Sequence, residues 1–116
     1  MKVASVFEEN LGRITVTANL LTGDESERKA LADEMKFLLA SGADKLLVEL
    51  DVKNGTSHGI GALVSVGFVH LDKGIKVAYY SICEWARFIM SSVEYPARAV
   101  YDSETKARSY LFSERD

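Results

Sequence analysis

The sequence has few of the residues that build common catalytic or metal sites. Its single cysteine, Cys83, cannot form an internal disulfide, and one cysteine with two histidines does not supply the ligand set of a metal site. No paired carboxylates or base–nucleophile pair can be assigned either. We therefore expect no metal, no cofactor and no enzymatic activity.

An excess of positive charge is also lacking. The chain has 14 Lys and Arg against 17 Asp and Glu, a net charge of −3, and no run of basic residues. Proteins that bind nucleic acid use such residues to neutralise phosphates, so the balance argues against a nucleic-acid partner.

Long apolar runs are absent as well. The longest, Ile60 to Val69, is shorter than the roughly 18 to 20 residues of a membrane span and predicts a buried helix. The first twenty residues mix acidic and apolar positions, unlike a secretory signal. These features predict no transmembrane segment and a cytoplasmic location.

What is present is the composition of a folded protein. The 116 residues are 47% hydrophobic and 27% charged, which predicts one domain over residues 1–116. Alternating residues at the start predict a β-hairpin turning around Asn10 to Gly12. Asp24 and Glu27 have the spacing of a capping box, and the helix they begin is expected to end near Ser41-Gly42.

The remaining elements alternate. A nearly continuous apolar strand, Lys45 to Asp51, is typical of a central parallel strand and leads into a loop and a helix from about Gly59 to Leu71. The other predicted elements are a strand from Lys76 to Tyr80, a helix opened by Ser81 and Glu84 with Trp85, Phe88, Ile89 and Val93 on its apolar stripe, a short strand from Arg98 to Tyr101, and a terminal helix capped by Asp102 or Ser103 with Ala107, Tyr110 and Leu111 inward. The order β-β-α-β-α-β-α-β-α predicts an α/β fold with a mixed β-sheet and helices packed against it.

One stretch resembles a known family. The strand Leu46-Leu47-Val48-Glu49-Leu50-Asp51 is followed by Gly55-Thr56-Ser57-His58-Gly59-Ile60-Gly61-Ala62-Leu63. This stretch, with the order of elements, is similar to the STAS domain of bacterial anti-sigma factor antagonists typified by SpoIIAA. The resemblance implies a SpoIIAA-like fold.

The resemblance also implies a function. Ser57 matches the serine that the family's partner kinases phosphorylate, and Thr56 is a second candidate phosphoacceptor. The implied partners are a serine kinase/anti-sigma factor-like protein and a phosphatase that resets the switch. The expected partner-binding residues are Asn54, Gly55, Thr56, Ser57, His58, Gly59, Ile60 and Gly61. Gly59 and Gly61 would let another backbone approach Ser57 closely.

Other interpretations remain open. Thr56 and His58 stand where the family has an aspartate and a second hydroxyl residue, which leaves room for a SpoIIAA-like protein that binds an apolar ligand or lipid without a phosphoswitch. Ser57 or Thr56 could simply be a helix cap. Cys83 could be a reactive thiol or a small buried side chain. Homodimerisation could use an exposed strand edge or an apolar helix face.

Overall fold

The computed structural model of the chain describes residues 2–59, 61–62, 74–91 and 100–113. Its strands are β1 (Lys2–Glu8), β2 (Leu11–Ala18), β3 (Lys45–Val52), β4 (Lys76–Tyr80) and β5 (Val100–Tyr101). Its helices are α1 (Glu25–Ala40), α2 (Glu84–Ser91) and α3 (Glu104–Leu111). Residues 57–59 and 61–62, between β3 and β4, are also helical. The predicted mixed α/β fold is confirmed.

The five strands form one sheet in the order β1-β2-β3-β4-β5. β1 is antiparallel to β2, and each later neighbour is parallel. β3 is central, and its apolar residues Leu46, Leu47, Val48 and Leu50 are at most 1% exposed. The apolar run therefore predicted a central parallel strand correctly.

Helices cover the two faces of the sheet unequally. The larger core joins Ile14, Val48 and Tyr79 of the strands to Leu31 and Leu38 of α1. The smaller core, on the other face, contains Leu11, Leu47, Ala78, Ala107 and Leu111. Within the part of the chain that the structure describes, no helix is both long enough and apolar enough to span a bilayer.

The hairpin turn lies earlier than predicted. Glu8 pairs with Leu11, and the two turn residues, Glu9 and Asn10, have φ angles of 48° and 69°. These left-handed angles are those of a type I′ hairpin turn. Gly12 belongs to β2, where a β-carbon would lie 3.1 Å from a Leu38 methyl group. Close helix packing, and not a turn, accounts for this glycine.

The helix α1 begins and ends as predicted. Asp24 is its N-cap and accepts a hydrogen bond from the Glu27 amide at 2.8 Å. Glu27 is buried and reaches back, so that its Oε1 accepts from the Thr22 and Gly23 amides at 2.9 and 2.6 Å. At the other end Ser41 is the C-cap, and Gly42 has φ 94°. Glu27 thus holds the chain that enters the helix.

The start and the inner face of α2 differ from the prediction. The helix begins at Glu84, and Cys83 precedes it, with its carbonyl accepting from the Arg87 amide. The Ser81 hydroxyl instead donates to the Leu50 carbonyl at 2.6 Å and accepts from the Cys83 amide, joining β4 to β3. Ala86 is fully buried and Trp85 packs against the larger core, whereas Phe88 is 70% exposed. Phe88 follows Ala86 by two residues, which is about half a helical turn, so its side chain points to the opposite side of the helix. The prediction that Phe88 lies on the inner stripe was therefore wrong.

The rest of the predicted terminal region is described in part. Ser103 caps α3, with its Oγ accepting from the Lys106 amide, and Ala107 and Leu111 are buried as expected, while Tyr110 is half-buried. Of the predicted strand from Arg98, the structure describes Val100–Tyr101. Ile89 is helical with an undescribed side-chain environment, and Val93 lies outside the described residues.

An ionic cluster fixes α3 to the sheet. Arg13 of β2 contacts both Glu49 of β3, at 3.2 Å, and Glu104 of α3. Arg108 donates to Glu104 at 2.8 Å. Burial raises the pKa of Glu104, but the hydrogen bond from Arg108 and the charge of Arg13 outweigh it and lower the pKa below its ordinary value of 4.5. Burial and a hydrogen bond with Glu49 raise the pKa of Tyr80.

The lowered pKa of Glu104 predicts a loss of stability in acid. Its carboxylate stabilises the folded state above about pH 4.5, and this contribution disappears as the pH falls through the folded-state pKa. Glu104→Gln should lower the free energy of unfolding by about 1 kcal/mol at pH 7. The deficit should shrink below pH 4.5, as measured by urea unfolding at several pH values.

The matched control is Asp33→Asn, which removes a carboxylate whose partner is Lys29 on the exposed side of α1. It should change stability little at pH 7. A Glu104→Gln deficit that is the same at pH 7 and pH 3 would contradict the assignment.

Candidate functional site

The candidate site lies at the carboxyl edge of the parallel strands. Because β2, β3, β4 and β5 run in the same direction, the loops that follow them emerge at one edge of the sheet. In open α/β sheets this edge commonly forms the binding surface. The loop after β3, residues 53–56, leads directly into the helical residues 57–59.

Backbone hydrogen bonds tie this loop to the loop after β2. The Leu21 amide donates to the Asn54 carbonyl at 2.9 Å, and the Thr56 amide donates to the Leu21 carbonyl at 2.9 Å. Leu21 and Gly55 form a parallel bridge, and the Leu21 side chain is fully buried. These bonds extend the β2–β3 pairing past the ends of both strands and fix the loop that carries Ser57.

Two glycines allow the connected segments to cross. A β-carbon on Gly59 would lie 2.4 Å from the Leu21 carbonyl oxygen. On Gly23, whose φ is 72°, a β-carbon would lie 2.4 Å from the His58 carbonyl. Neither position has room for a side chain. Gly59 was predicted to let another backbone approach closely, and the backbone that does so is this chain's own, at Leu21.

The two hydroxyl residues have different environments. The Thr56 hydroxyl donates to the Thr22 carbonyl at 3.0 Å and accepts from the Gly59 amide at 3.2 Å. The second bond is that of a helix N-cap, so the cap is Thr56. Ser57 is the first helical residue, is exposed, and makes no side-chain hydrogen bond with the described part of the chain. Both residues are exposed, and Ser57 is the one of the two whose hydroxyl makes no hydrogen bond within the described chain.

The other predicted partner-binding residues surround this turn. Asn54 and His58 are exposed, and the Asn54 side chain accepts from the Gly55 amide at 2.8 Å. Gly61 is exposed, and a β-carbon there would meet nothing within 4 Å. Ile60 lies outside the described residues, as do His70 and most of the predicted helix that would end at Leu71. The exposed members lie within the turn and the helix start that follow β3.

Two apolar residues at this edge were missed by the sequence interpretation. Leu20, after β2, is 51% exposed, and Ile82, after β4, is 75% exposed. Both occupy loops that follow parallel strands, so their positions at the carboxyl edge could have been read from the strand pattern. Trp85 of α2 packs against the loop after β3, since a β-carbon on Gly55 of that loop would lie 2.8 Å from the Trp85 ring. The edge thus combines a fixed backbone with exposed apolar side chains.

Cys83 is packed into the protein near the end of β3. It is half-buried before α2, packs against the larger core, and its Sγ lies 3.5 Å from Asp51 Oδ1. The thiol is thus within hydrogen-bonding distance of Asp51, the aspartate at the end of the stretch that resembles the STAS family. The residues that the structure describes contain no group of three or more potential metal ligands.

A broad depression lies beside the start of α1. It has a volume of about 690 Å³ and is lined by Asp24, Glu25, Ser26, Lys29, Ala30 and Asp33. The depression is open to solvent, whereas pockets for apolar ligands enclose most of the ligand surface. The depression therefore gives no support to the alternative of an apolar or lipid ligand.

The comparison with solved structures supports the fold. A crystal structure of an anti-sigma factor antagonist from Mycobacterium paratuberculosis superposes with a TM-score of 0.69, covering 97% of this chain and 94% of that chain. The chain has the fold of an anti-sigma factor antagonist. The sequence identity is 14%, and the sequence matches no protein-family model and no curated protein. The expected SpoIIAA-like fold is confirmed.

The crossing at Gly59 can be tested by a pair of alanine substitutions. Gly59→Ala should destabilise the fold by about 1–3 kcal/mol, because the new methyl group overlaps the Leu21 carbonyl. Gly61→Ala makes the same change in open space and should be neutral or stabilising by up to about 1 kcal/mol, because alanine favours helix. Urea unfolding measures both. Equal effects of the two substitutions would contradict the close crossing.

Proposed function

We propose that this chain is a non-enzymatic regulatory module that binds a protein partner through the surface around Ser57, and that phosphorylation of Ser57 controls the binding. The proposal rests chiefly on one observation. Ser57 presents an exposed hydroxyl that makes no side-chain hydrogen bond within the described chain, on a backbone held by hydrogen bonds, while the adjacent Thr56 hydroxyl is engaged as the cap. The SpoIIAA-like fold and the described role of its structural neighbour as an anti-sigma factor antagonist support it further.

Phosphate on Ser57 is compatible with the domain itself. At the first helical residue, a phosphate lies beside the free amides and the positive end of the helix dipole. It adds close to two negative charges without displacing an existing side-chain hydrogen bond. Phosphate on Thr56 would instead disrupt both the cap and the bond to the Thr22 carbonyl. The expected phosphoacceptor is therefore Ser57 and not Thr56.

The partner surface we propose comprises the turn at residues 54–58 and the exposed side chains of Leu20 and Ile82. The apolar side chains supply contact area, and the serine between them supplies the switch. A partner that packs on this edge would have to bury the phosphate, which costs affinity unless it supplies matching cations. The partner expected is a serine kinase of the anti-sigma factor type, with a phosphatase that restores the free serine.

The switch can be tested with purified serine kinases encoded in the same genome. Incubation with ATP should place phosphate on Ser57, located by mass spectrometry, and Ser57→Ala should abolish the modification. Phosphate found on Thr56 and absent from Ser57 would contradict the assignment.

A charge substitution tests the consequence for binding. Ser57→Asp should weaken binding to the cognate kinase by at least about tenfold, since it buries an unpaired charge at the contact. Ser109→Asp introduces the same charge on an exposed position of α3 and should leave affinity unchanged. Isothermal titration calorimetry measures both affinities. Equal affinities for Ser57→Asp and wild type would contradict the control of binding by phosphorylation.

The apolar side chains give an independent test of the surface. Leu20→Asp and Ile82→Asp should each lower partner affinity by about tenfold while leaving the unfolding midpoint close to that of the wild type, because both side chains are largely exposed. Phe37→Asp, at a 53% exposed position in the last turn of α1 near the opposite edge, is the matched control. Loss of binding only in the control would place the partner elsewhere.

A further inference from the structure

The outer edge of β1 has the geometry of an unpaired strand. β1 is the end strand of the sheet, and among the described residues only β2 pairs with it. Its register with β2 runs without a bulge from Lys2 to Glu8, and the strand contains no proline. Proteins commonly protect edge strands with bulges, prolines or repelling charges, because a free edge pairs readily with another strand.

The hairpin turn determines which backbone groups face outward. In a two-residue type I′ turn the flanking pair, Glu8 and Leu11, is the hydrogen-bonded one. Because bonding alternates along an antiparallel pair, the even-numbered residues of β1 bond to β2. The amides and carbonyls of Val3, Ser5 and Phe7 therefore point away from the sheet, toward the free edge.

The side chains of β1 are self-complementary in one antiparallel register. With a two-fold axis at Ser5, residue Lys2 lies opposite Glu8 of a second copy, Ala4 lies opposite Val6, and Val3 lies opposite Phe7. Lys2, Ala4, Val6 and Glu8 are all exposed on one face, with Val6 54% exposed. An attractive charge pair at each end therefore flanks apolar pairs on that face.

The register also satisfies the backbone. In this register Val3 lies opposite Phe7 of the second copy, and Ser5 lies opposite Ser5. All of these residues have outward-facing backbone amides and carbonyls, so each pair can form antiparallel hydrogen bonds. Shifting the axis to another residue leaves part of the strand unpaired and separates Lys2 from Glu8. The charges thus select the register that pairs the whole strand.

We propose that β1 pairs with β1 of a second copy about a two-fold axis at Ser5, forming a homodimer whose sheet continues through both chains. The carboxyl edge that carries Ser57 lies at the strand ends and not along β1, so the dimer leaves both partner surfaces open. This proposal does not depend on the proposed function. Two features of the described residues oppose it. Glu34 of α1 accepts a hydrogen bond from the Ser5 hydroxyl and would approach its symmetry mate near the axis, and Glu8 already contacts Arg108 of α3 at 3.5 Å.

The test exchanges the end charges. Lys2→Glu gives strands with acidic residues at both ends, and Glu8→Lys gives strands with basic residues at both ends, so each variant repels its own copy. Each should show a dimer dissociation constant at least about tenfold above that of the wild type in sedimentation equilibrium. A mixture of the two variants restores both attractive pairs and should form heterodimers with near wild-type affinity.

Two further variants sharpen the result. Glu9→Lys makes the same charge change in the turn, outside the paired strand, and should leave dimerisation unchanged. Glu34→Gln keeps an acceptor for Ser5 while removing the like charges near the axis, and should tighten the dimer. Circular dichroism checks that every variant is folded. A wild type that stays monomeric up to millimolar concentration, or a mixture that behaves as the sum of its two components, would overturn the proposal.

Discussion

The backbone of Leu21 is the contact on which the carboxyl edge of the sheet depends. Its amide and its carbonyl both bond to the loop after β3, and its side chain is fully buried. Gly59 has no side chain where the Leu21 carbonyl approaches, and Glu27 holds the following residues, Thr22 and Gly23, by their amides. The turn that carries Ser57 is therefore fixed by main-chain contacts and by the Thr56 hydroxyl, and it does not rely on the Ser57 side chain.

Different residues maintain the backbone conformation of the turn and provide its site of modification. The Thr56 hydroxyl maintains the start of the helix, and the Ser57 hydroxyl next to it has no structural bond within the described chain. A modification of Ser57 can change the charge of the edge while the backbone beneath it stays in place. The exposed Leu20 and Ile82 lie on loops from the neighbouring strands, so the same parallel sheet that aligns the loops also assembles the contact surface.

Local chemistry explains which elements could be predicted from the sequence. Asp24 and Glu27 mark the start of α1 because their capping bonds are made within a few residues, and the apolar run of β3 reports its central place directly. Gly12 misled the hairpin prediction because its small size serves packing against Leu38, a contact distant in sequence. Phe88 was misplaced because α2 turns the small, fully buried Ala86 toward the larger core and leaves Phe88 exposed. The positions of Thr56 and Ser57 at the edge were predicted, but the crossing with Leu21 was not, since it depends on tertiary contacts.

The central claim is that phosphorylation changes the charge of a preformed turn. Amide hydrogen exchange of the Ser57-phosphorylated and unmodified protein, followed by NMR, tests it most directly. The amides of Leu21 and Thr56 are expected to be strongly protected, with similar exchange rates in both forms, because they donate the bonds that join the two loops. If these amides exchanged as fast as those of an unstructured loop, in either the phosphorylated or the unmodified protein, the result would contradict the claim that the backbone stays fixed when Ser57 is modified.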